Sequence, residues 1–188
     1  MMKCLPPGWL ERAAWLPSPN FGERPEGEVS LIVMHNISLP PDEFEGDWVE
    51  RFFLNTLDAT VNPYFSQISG MQVSAHFYVR RDGRLIQFVS CDQRAWHAGR
   101  SAWRGRENCN DYSVGIELEG SDTQIFTEAQ YATLWPLLDV LCACYPITAI
   151  VGHSDVAPGR KTDPGPHFDW QAVRNRYPAL DLPAEIIS

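Results

Sequence analysis

Residues 30–35 read Ser30-Leu31-Ile32-Val33-Met34-His35, a short and continuous apolar run that ends in a histidine. Such a run is typical of a strand that is buried on both faces. The chain then turns into Asn36-Ile37-Ser38-Leu39-Pro40-Pro41, where two prolines remove backbone donors. The pattern therefore predicts a buried strand with His35 at its end.

Four further segments have strand patterns. Residues 113–119 and 73–79 alternate between apolar and other side chains, as the two faces of a strand do. Asp82-Gly83 supplies the positive φ angles of a hairpin turn, which would lead from 73–79 into a return strand at 85–89. A short apolar strand is predicted at 149–151. Together these segments predict a mixed sheet.

Helix signals separate the strands. Asp47 can cap a helix over residues 47–57, and Asp169 can cap a last helix. The segment Thr127-Glu128-Ala129-Gln130 is a capping box. It opens a helix in which Pro136 predicts a kink. The fold class predicted is α/β, a single domain with a central mixed β-sheet flanked by α-helices.

We place this domain at residues 29–180. Residues 1–28 are rich in proline and glycine and are predicted to form an arm packed on the domain, and residues 181–188 a C-terminal tail. Residues 58–70 and 92–112 are predicted to be loops.

Charge and composition argue against several classes of function. The 188 residues carry a formal charge of −9, whereas general binding to nucleic acid or anionic membranes needs a basic face. No apolar run is long enough to span a membrane, and the N-terminus lacks a signal-peptide pattern. Five cysteines without zinc-ribbon or CxxC spacing are predicted to be reduced thiols. We therefore expect a cytoplasmic monomer without nucleic-acid or membrane partners.

Positive charge is concentrated in two segments of this acidic chain. One segment holds Arg94, Arg100, Arg104 and Arg106, and the other holds adjacent Arg160 and Lys161. Two interpretations stay open at this point. Either both segments are solvated loops, or they form a local patch that binds an anion.

The loop Gly152–Gly165 carries residues suited to a metal site. It contains His153, Asp155, Lys161 and Asp163. Imidazole and carboxylate are zinc ligands, and a lysine beside them can stabilise a developing negative charge. A catalytic zinc needs three protein ligands. The loop offers His153 with either aspartate, so a further ligand must come from elsewhere in the chain.

Other histidines are candidates for that ligand. His35 follows its own strand as His153 does, and two histidines at strand ends can meet at one edge of a sheet. His76 lies inside a predicted strand, which favours a structural role. His97 lies in a predicted loop and is either a ligand or a substrate contact, whereas His167 is expected at the surface.

Two glutamates share one face of the strand at residues 113–119. Glu117 and Glu119 lie opposite Val114, Ile116 and Leu118. A solvated face is one interpretation of this pattern. The other is that one of the two glutamates acts as general base toward a water molecule activated by the metal.

Four segments, in this order along the chain, carry a resemblance to a known family: Met34–Pro41, Arg94–Gly99, Gly115–Gly120 and Gly152–Gly165. They resemble the zinc-dependent type-2 N-acetylmuramoyl-L-alanine amidases, a group that includes bacteriophage amidases and the animal peptidoglycan recognition proteins. Within it the chain looks like the AmpD-type cytoplasmic 1,6-anhydro-N-acetylmuramyl-L-alanine amidases of Gram-negative bacteria. The likeness extends from about Pro17 to Trp170.

The resemblance implies a mixed sheet flanked by helices and one zinc ion (Zn2+) per chain. His35, His153 and Asp163 match the family's zinc ligands, Glu117 its water-activating glutamate and Lys161 its catalytic lysine. The implied reaction is zinc-dependent hydrolysis of the amide bond between the lactyl group of 1,6-anhydro-N-acetylmuramic acid and L-alanine. Its small-molecule substrate would be a cytosolic muropeptide, and its role would be peptidoglycan recycling, which removes a muropeptide signal for β-lactamase induction.

Six further residues are expected to contact this substrate. The stem peptide carries several carboxylates, which would give the basic segments a role, and an aromatic ring can stack on the sugar. The residues expected there are Asn36, Tyr64, Trp96, His97, Arg106 and Arg160.

Three alternatives to the cytosolic amidase remain. The first is a non-catalytic peptidoglycan- or muropeptide-binding module, and the presence of all five zinc-site and catalytic residues argues against it. The second is an amidase that acts on intact cell wall, against which the missing signal peptide counts. The third is a zinc peptidase that cuts within the stem peptide.

Overall fold

The computed structural model describes residues 2–184, which form one sheet with helices on both faces and three small strand pairs. The helices are α1 (Trp48–Phe53), α2 (Pro63–Ile68), α3 (Glu128–Cys144), α4 (His153–Val156) and α5 (Trp170–Arg176). The strands are β1 (Cys4–Leu5), β2 (Trp9–Leu10), β3 (Ala14–Trp15), β4 (Phe21–Glu23), β5 (Leu31–Ile37), β6 (Phe77–Val79), β7 (Leu85–Gln87), β8 (Gln93–Ala95), β9 (Ala102–Trp103), β10 (Arg106–Glu107), β11 (Ser113–Glu119) and β12 (Ala149–Gly152).

The central sheet has the strand order β12-β5-β11-β6-β7-β3. Strands β12, β5, β11 and β6 run parallel to one another. Strand β7 returns antiparallel to β6, and β3 adds to β7 in parallel. Both strand directions therefore occur in one sheet, which confirms the predicted α/β class with a mixed sheet.

Both faces of the sheet are covered, which explains the continuous apolar run at residues 31–34. Ile32 and Met34 pack into a core shared with α3 and α5. Leu31 and Val33 face the other side, among residues of β12 and α4. On that same side a third cluster joins β6 and β7 to α1 and α2. A strand between two cores buries every side chain, so the run has no polar alternation.

The central strand is longer than its pattern predicts. Strand β5 pairs with β11 from Leu31 opposite Ser113 to Ile37 opposite Glu119. The predicted break at Asn36 is wrong, because this ladder continues past His35. His35 therefore lies inside the strand, paired with Glu117 of β11.

Two of the predicted helix caps are confirmed. Thr127 Oγ1 accepts the N–H of Gln130, and the Gln130 side chain accepts the N–H of Thr127, so the capping box is complete. Asp169 Oδ1 accepts the N–H of Ala172 at 2.8 Å. Helix α3 runs through Pro136 to Cys144.

The first helix differs from its prediction at both ends. Asp47 occupies the N-cap position without a cap hydrogen bond. Its carboxylate instead accepts from Arg51 Nε at 2.8 Å. The helix ends at Phe53 rather than at residue 57, because Asn55 adopts φ of 59° in the left-handed region, which an α-helix cannot continue through.

Segments predicted as loops or as an arm contain regular structure. Residues 58–70 include α2, which Asn62 caps by accepting the N–H of Tyr64. Residues 92–112 include β8, β9 and β10. The N-terminal segment adds β3 to the edge of the central sheet. The boundary at residue 28 stays a prediction, and residues 185–188 of the predicted tail lie outside the described residues.

Within residues 2–184, none of the helices has the length and apolarity that crossing a bilayer requires.

Candidate metal centre and active site

Three neighbouring parallel strands bring the main candidate residues into one row. His35 lies on β5, and the register places Glu117 of β11 directly beside it. On the other side of β5, Gly152 ends β12 opposite Met34, so His153 follows one step further along. The carboxyl ends of parallel strands are where open α/β sheets place their ligands. The prediction that His35 and His153 meet at one sheet edge is confirmed.

Asp163 completes a cluster of three donor atoms. His35 Nδ1 and His153 Nδ1 lie 3.0 Å apart. Each lies 2.9 Å from Asp163 Oδ2. Two imidazole nitrogens and one carboxylate oxygen form a donor set that zinc accepts, at about 2 Å from each donor. These three residues therefore form a candidate metal site that fits one ion.

The outer nitrogen of each histidine also has a partner. His153 Nε2–H donates to the carbonyl oxygen of Ala98 at 3.1 Å. His35 Nε2 shares a hydrogen bond of 2.9 Å with His97 Nδ1. Metal-binding histidines usually donate their second ring N–H to such a partner, which fixes the orientation of the ring. Both imidazoles are therefore held with Nδ1 toward Asp163.

Electrostatics keep the donors in the protonation states that a metal needs. Burial lowers the pKa of His35 to about 4, and electrostatic repulsion from the neighbouring His153 acts in the same direction. Burial works against ionisation of Asp163, but its close polar contacts with His153 and His35 outweigh burial and hold the pKa of this carboxyl well below its usual value. A neutral imidazole and an ionised carboxylate are the forms that bind metal.

Glu117 lies beside these donors with one oxygen unused. Its Oε1 is 3.9 Å from His35 Nδ1, and its Oε2 is buried and accepts no hydrogen bond from any residue in the described range 2–184. Burial and the negative charge of Asp163 raise the pKa of Glu117 well above the usual value, and Lys161 opposes this rise. A buried acceptor without a partner needs an explanation, and a water molecule on the adjacent metal site would supply one.

Two adjoining cavities open onto the donor cluster. A pocket of about 200 Å³ is lined by His35, Glu117, His153 and Asp163. A groove of about 560 Å³ continues from it along the surface. Lys161 is exposed at the surface and lines both. The site is thus a buried cluster of candidate metal donors with a lysine at its mouth and a groove that can hold an extended ligand.

Five of the six expected substrate contacts line these cavities: Asn36, Tyr64, Trp96, His97 and Arg160. Asn36 and Tyr64 line the groove, and Trp96 lines the pocket. Asn36 Nδ2 also donates to Asp122 Oδ1 at 2.8 Å. Arg160 lines the groove while donating to the carbonyl oxygens of Ala98 and Arg100. It therefore also holds the segment that supports His153.

Two of the six expected contacts, Arg106 and His97, are engaged by other residues of the protein. Arg106 lines neither cavity, because its guanidinium pairs with Glu28 at 2.8 Å and lies over the Tyr112 ring. His97 borders the pocket, but both its ring nitrogens are used inside the protein, by His35 and by Ser113.

The remaining candidates have structural partners. Asp155 Oδ2 accepts the N–H of Gly152 at 2.7 Å. Glu119 Oε2 accepts the N–H of Arg81 at 2.8 Å. His76 Nδ1 accepts the N–H of Gly115, and its Nε2–H donates to the Gln93 carbonyl. None of these three groups contributes a donor to the cluster.

Sequence reasoning missed the residues that support the candidate metal ligands. The Ala98 carbonyl holds His153, and Asn110 Oδ1 accepts the N–H groups of both His97 and Ala98. Ser113 contacts the far nitrogen of His97 at 3.2 Å. One signal was available: Gly115 lies inside an apolar strand, where glycine often marks a close approach.

The chain is similar to known amidases over most of its length. A family model described as N-acetylmuramoyl-L-alanine amidase matches residues 25–166. The 1,6-anhydro-N-acetylmuramyl-L-alanine amidase AmpD of Escherichia coli (strain K12) is 52% identical over 170 residues, which are 89% of this chain and 93% of the relative. The family resemblance predicted from the sequence is thereby confirmed.

Solved structures agree with this similarity. The crystal structure of a selenomethionine AmpD derivative matches with a TM-score of 0.87 and 51% identity, over 89% of this chain and 96% of that one. The E. coli amidase AmiD, solved with the substrate anhydro-N-acetylmuramic acid-L-Ala-D-γ-Glu-L-Lys, matches with a TM-score of 0.57 and 29% identity, over 93% of this chain and 65% of that one. The chain belongs to the N-acetylmuramoyl-L-alanine amidase family.

Proposed function

We propose that this chain is a zinc-dependent 1,6-anhydro-N-acetylmuramyl-L-alanine amidase that acts in peptidoglycan recycling. It hydrolyses the amide bond between the lactyl group of 1,6-anhydro-N-acetylmuramic acid and L-alanine. One observation carries the proposal: three converging metal donors lie beside a buried glutamate oxygen that has no partner among residues 2–184.

His35, His153 and Asp163 are the proposed ligands of one zinc ion per chain. Support comes from their donor chemistry, from the short distances between their donor atoms and from the outer hydrogen bonds of both histidines. Across residues 2–184 they form the single such group of three. When bound, zinc would lower the pKa of a water molecule and polarise the scissile carbonyl.

Glu117 is the proposed acid–base residue. It takes up a proton as the water oxygen bonds to the lactyl carbonyl carbon, and it delivers this proton to the alanine nitrogen as the carbon–nitrogen bond breaks. The products are a lactyl carboxylate on the sugar and a free L-alanine amine on the peptide. The position of Glu117 beside His35 supports this role.

Lys161 is the proposed cation for the developing oxyanion. Its side chain lines the pocket that contains Glu117 and Asp163. The charge of Lys161 also lowers the pKa of Glu117 and of His35, which both line this pocket. A fixed positive charge near the reacting carbonyl stabilises the tetrahedral state more than the planar one.

The groove is the proposed site of the muropeptide. Asn36, Tyr64, Trp96 and Arg160 line the groove or the pocket, with aromatic rings suited to the sugar and a guanidinium suited to stem-peptide carboxylates. A relative of this chain has been solved with an anhydromuramyl tripeptide of comparable kind. A cytoplasmic location and a monomeric state remain predictions.

Product analysis tests the proposed reaction. Zinc-loaded protein is incubated with an anhydro-muropeptide and, separately, with intact sacculi, and the products are identified by mass spectrometry. We expect the muropeptide to give free peptide that begins with L-alanine, and the sacculi to release none. A sugar product that keeps its alanine would reveal a peptidase. Intact muropeptide that still binds would reveal a binding module.

A chelator control makes the same experiment specific for the metal. Protein stripped of metal should leave the muropeptide intact, and reloading with zinc should restore cleavage. Cleavage that persists in the stripped protein would contradict the assignment of His35, His153 and Asp163 as the centre of the reaction.

A further inference from the structure

We propose that His97 is a positioning residue that fixes the metal-binding tautomer of His35, while Ser113 contacts the far nitrogen of His97. The inference rests on the proposed metal site. It assigns His97 a role different from the substrate contact expected from the sequence. It is carried by a continuous chain of side-chain contacts from Asp163 through two imidazoles to a buried hydroxyl.

The proton positions along this chain follow from chemistry. His35 Nδ1 faces Asp163 and His153, and a nitrogen that binds metal carries no proton. The one proton of neutral His35 therefore lies on Nε2, which is 2.9 Å from His97 Nδ1. His97 must accept there, so its own proton lies on Nε2 and points to Ser113 Oγ at 3.2 Å.

The reverse arrangement would disable the metal site. If His97 carried its proton on Nδ1, it would donate to His35 Nε2 and force the His35 proton onto Nδ1. That proton would then occupy the space in which the three donors converge. The buried hydroxyl of Ser113 can accept from His97 Nε2–H in the productive tautomer.

The protein holds the His97 ring in one place. A Cβ atom on Gly115 would come within 2.4 Å of His97 Cγ and 2.6 Å of its Nδ1, so the ring rests directly on the strand backbone. The His97 backbone N–H donates to Asn110 Oδ1. The ring plane stands at 87° to that of His35. A side chain free to bind substrate would not be seated this tightly.

The same short segment supports both histidine ligands. His97 contacts His35 through its side chain, and Ala98 contacts His153 through its carbonyl oxygen. Asn110 and Arg160 anchor the segment from either side. Two consecutive residues thus set the orientation of two metal ligands that lie 118 residues apart in sequence.

Three variants separate the acceptor role from packing. His97→Ala removes the acceptor and the ring. His97→Asn keeps an acceptor, because its Oδ1 is bonded to Cγ as Nδ1 is in histidine. Ser113→Ala removes only the hydroxyl. For each, zinc affinity is measured by chelator competition, and the His35 tautomer is read from long-range ¹H–¹⁵N correlation spectra of the zinc-free protein.

We expect wild-type His35 to carry its proton on Nε2 before zinc is added. His97→Ala should mix the two His35 tautomers and weaken zinc binding by about 10- to 100-fold, the usual scale for such an outer partner. His97→Asn should keep the Nε2–H tautomer and lie close to wild type. Ser113→Ala should change zinc affinity much less than His97→Ala, because the Ser113 hydroxyl can pair with either tautomer of His97.

The outcomes distinguish this inference from the proposed function. Unchanged zinc affinity and an unchanged His35 tautomer in His97→Ala would overturn the inference. If that variant does not fold, a wild-type protein whose His35 carries its proton on Nδ1 would overturn it instead. A wild-type protein that binds no zinc would refute the metal site, while the tautomer spectra would still report on the role of His97.

Discussion

Strand β11 carries two buried glutamates, and their surroundings differ sharply. Glu119 accepts the N–H of Arg81 and lies 3.7 Å from Arg80 Nε. Arg80 also donates to Glu50 at 3.0 Å. Two residues earlier, Glu117 lies beside His35 with Oε2 unpartnered among residues 2–184. Glu50 also has one oxygen without a partner in the described part of the chain, but its other oxygen accepts from Arg80.

The difference shows how one strand face can support structure and chemistry. A buried carboxylate whose charge is matched by arginine and backbone donors stabilises the fold. A buried carboxylate without donors destabilises the fold, and such groups occur where the free oxygen takes part in a reaction. We call Glu117 with His35, His153, Lys161 and Asp163 the Glu117 region, and Glu119 with Arg80 and Arg81 the Glu119 region. We expect mutations in the Glu117 region to change activity, and mutations in the Glu119 region to change stability.

The largest expected effect is the loss of the metal in the Glu117 region. Asp163→Ala removes the oxygen shared by both histidines, so zinc should no longer bind stoichiometrically and turnover should vanish with it. Metal analysis and product assays check this. Asp155→Asn is the matched control, since Asp155 lies in the same loop with a structural role. Full zinc in Asp163→Ala would remove this aspartate from the ligand set.

A smaller loss of activity is expected for Lys161→Met, which removes the charge and keeps the length of the side chain. Turnover should fall about 100- to 1,000-fold, as when an oxyanion donor is lost, while zinc content and stability stay unchanged. Lys161→Arg, which keeps the charge, should recover part of the loss. Steady-state kinetics with equal rates in both variants would argue against a charge effect.

In the Glu119 region the expected change is in stability. Glu119→Gln removes a buried charge that pairs with the Arg80 guanidinium and accepts the backbone N–H of Arg81. It should lower the free energy of unfolding by about 1–3 kcal/mol and leave turnover within a few-fold of wild type. Urea unfolding and kinetics on the same sample measure both. A large loss of turnover without loss of stability would contradict the assignment of Glu119 to stability rather than to activity.

The smallest effect is expected at the helix that supports this region. Thr127 caps α3 and donates to the carbonyl of Arg81 at 2.7 Å, and Gln130 of the same capping box donates to the Glu119 carbonyl. Thr127→Ala should cost about 1 kcal/mol of stability with normal turnover, as measured by thermal unfolding and the product assay. Unchanged stability in Thr127→Ala would show that this cap does not support the Glu119 region.

Patterns within short segments predicted much of the fold. The apolar run at residues 30–35, the alternation at 113–119 and the capping box at Thr127 act locally, so each could be predicted without knowing its neighbours. Asn62-Pro63 was a comparable signal for α2, a cap followed by proline at the first helical position. Strand β3 could not be predicted, because two residues gain strand structure only by pairing with β7.

The site could be predicted only in part, for a similar reason. The family motifs identified His35, His153, Asp163, Glu117 and Lys161 as candidates. From alternation alone, Glu117 and Glu119 are equivalent. They differ because Arg80 and Arg81 contact Glu119, although both arginines lie 38 or more residues from Glu119 in sequence. The seat of His97 on Gly115 likewise depends on two distant segments that meet only in the fold.

Glu117→Gln, measured beside Glu119→Gln, tests the central claim most directly. Zinc content, turnover and the unfolding free energy of the metal-free protein are determined for both. Glu117→Gln should keep its zinc, lose at least about two decades of turnover and be no less stable than wild type, because it removes an unmatched buried charge. Near-normal turnover in Glu117→Gln, or turnover lost only together with stability, would contradict the assignment of Glu117 as the acid–base residue.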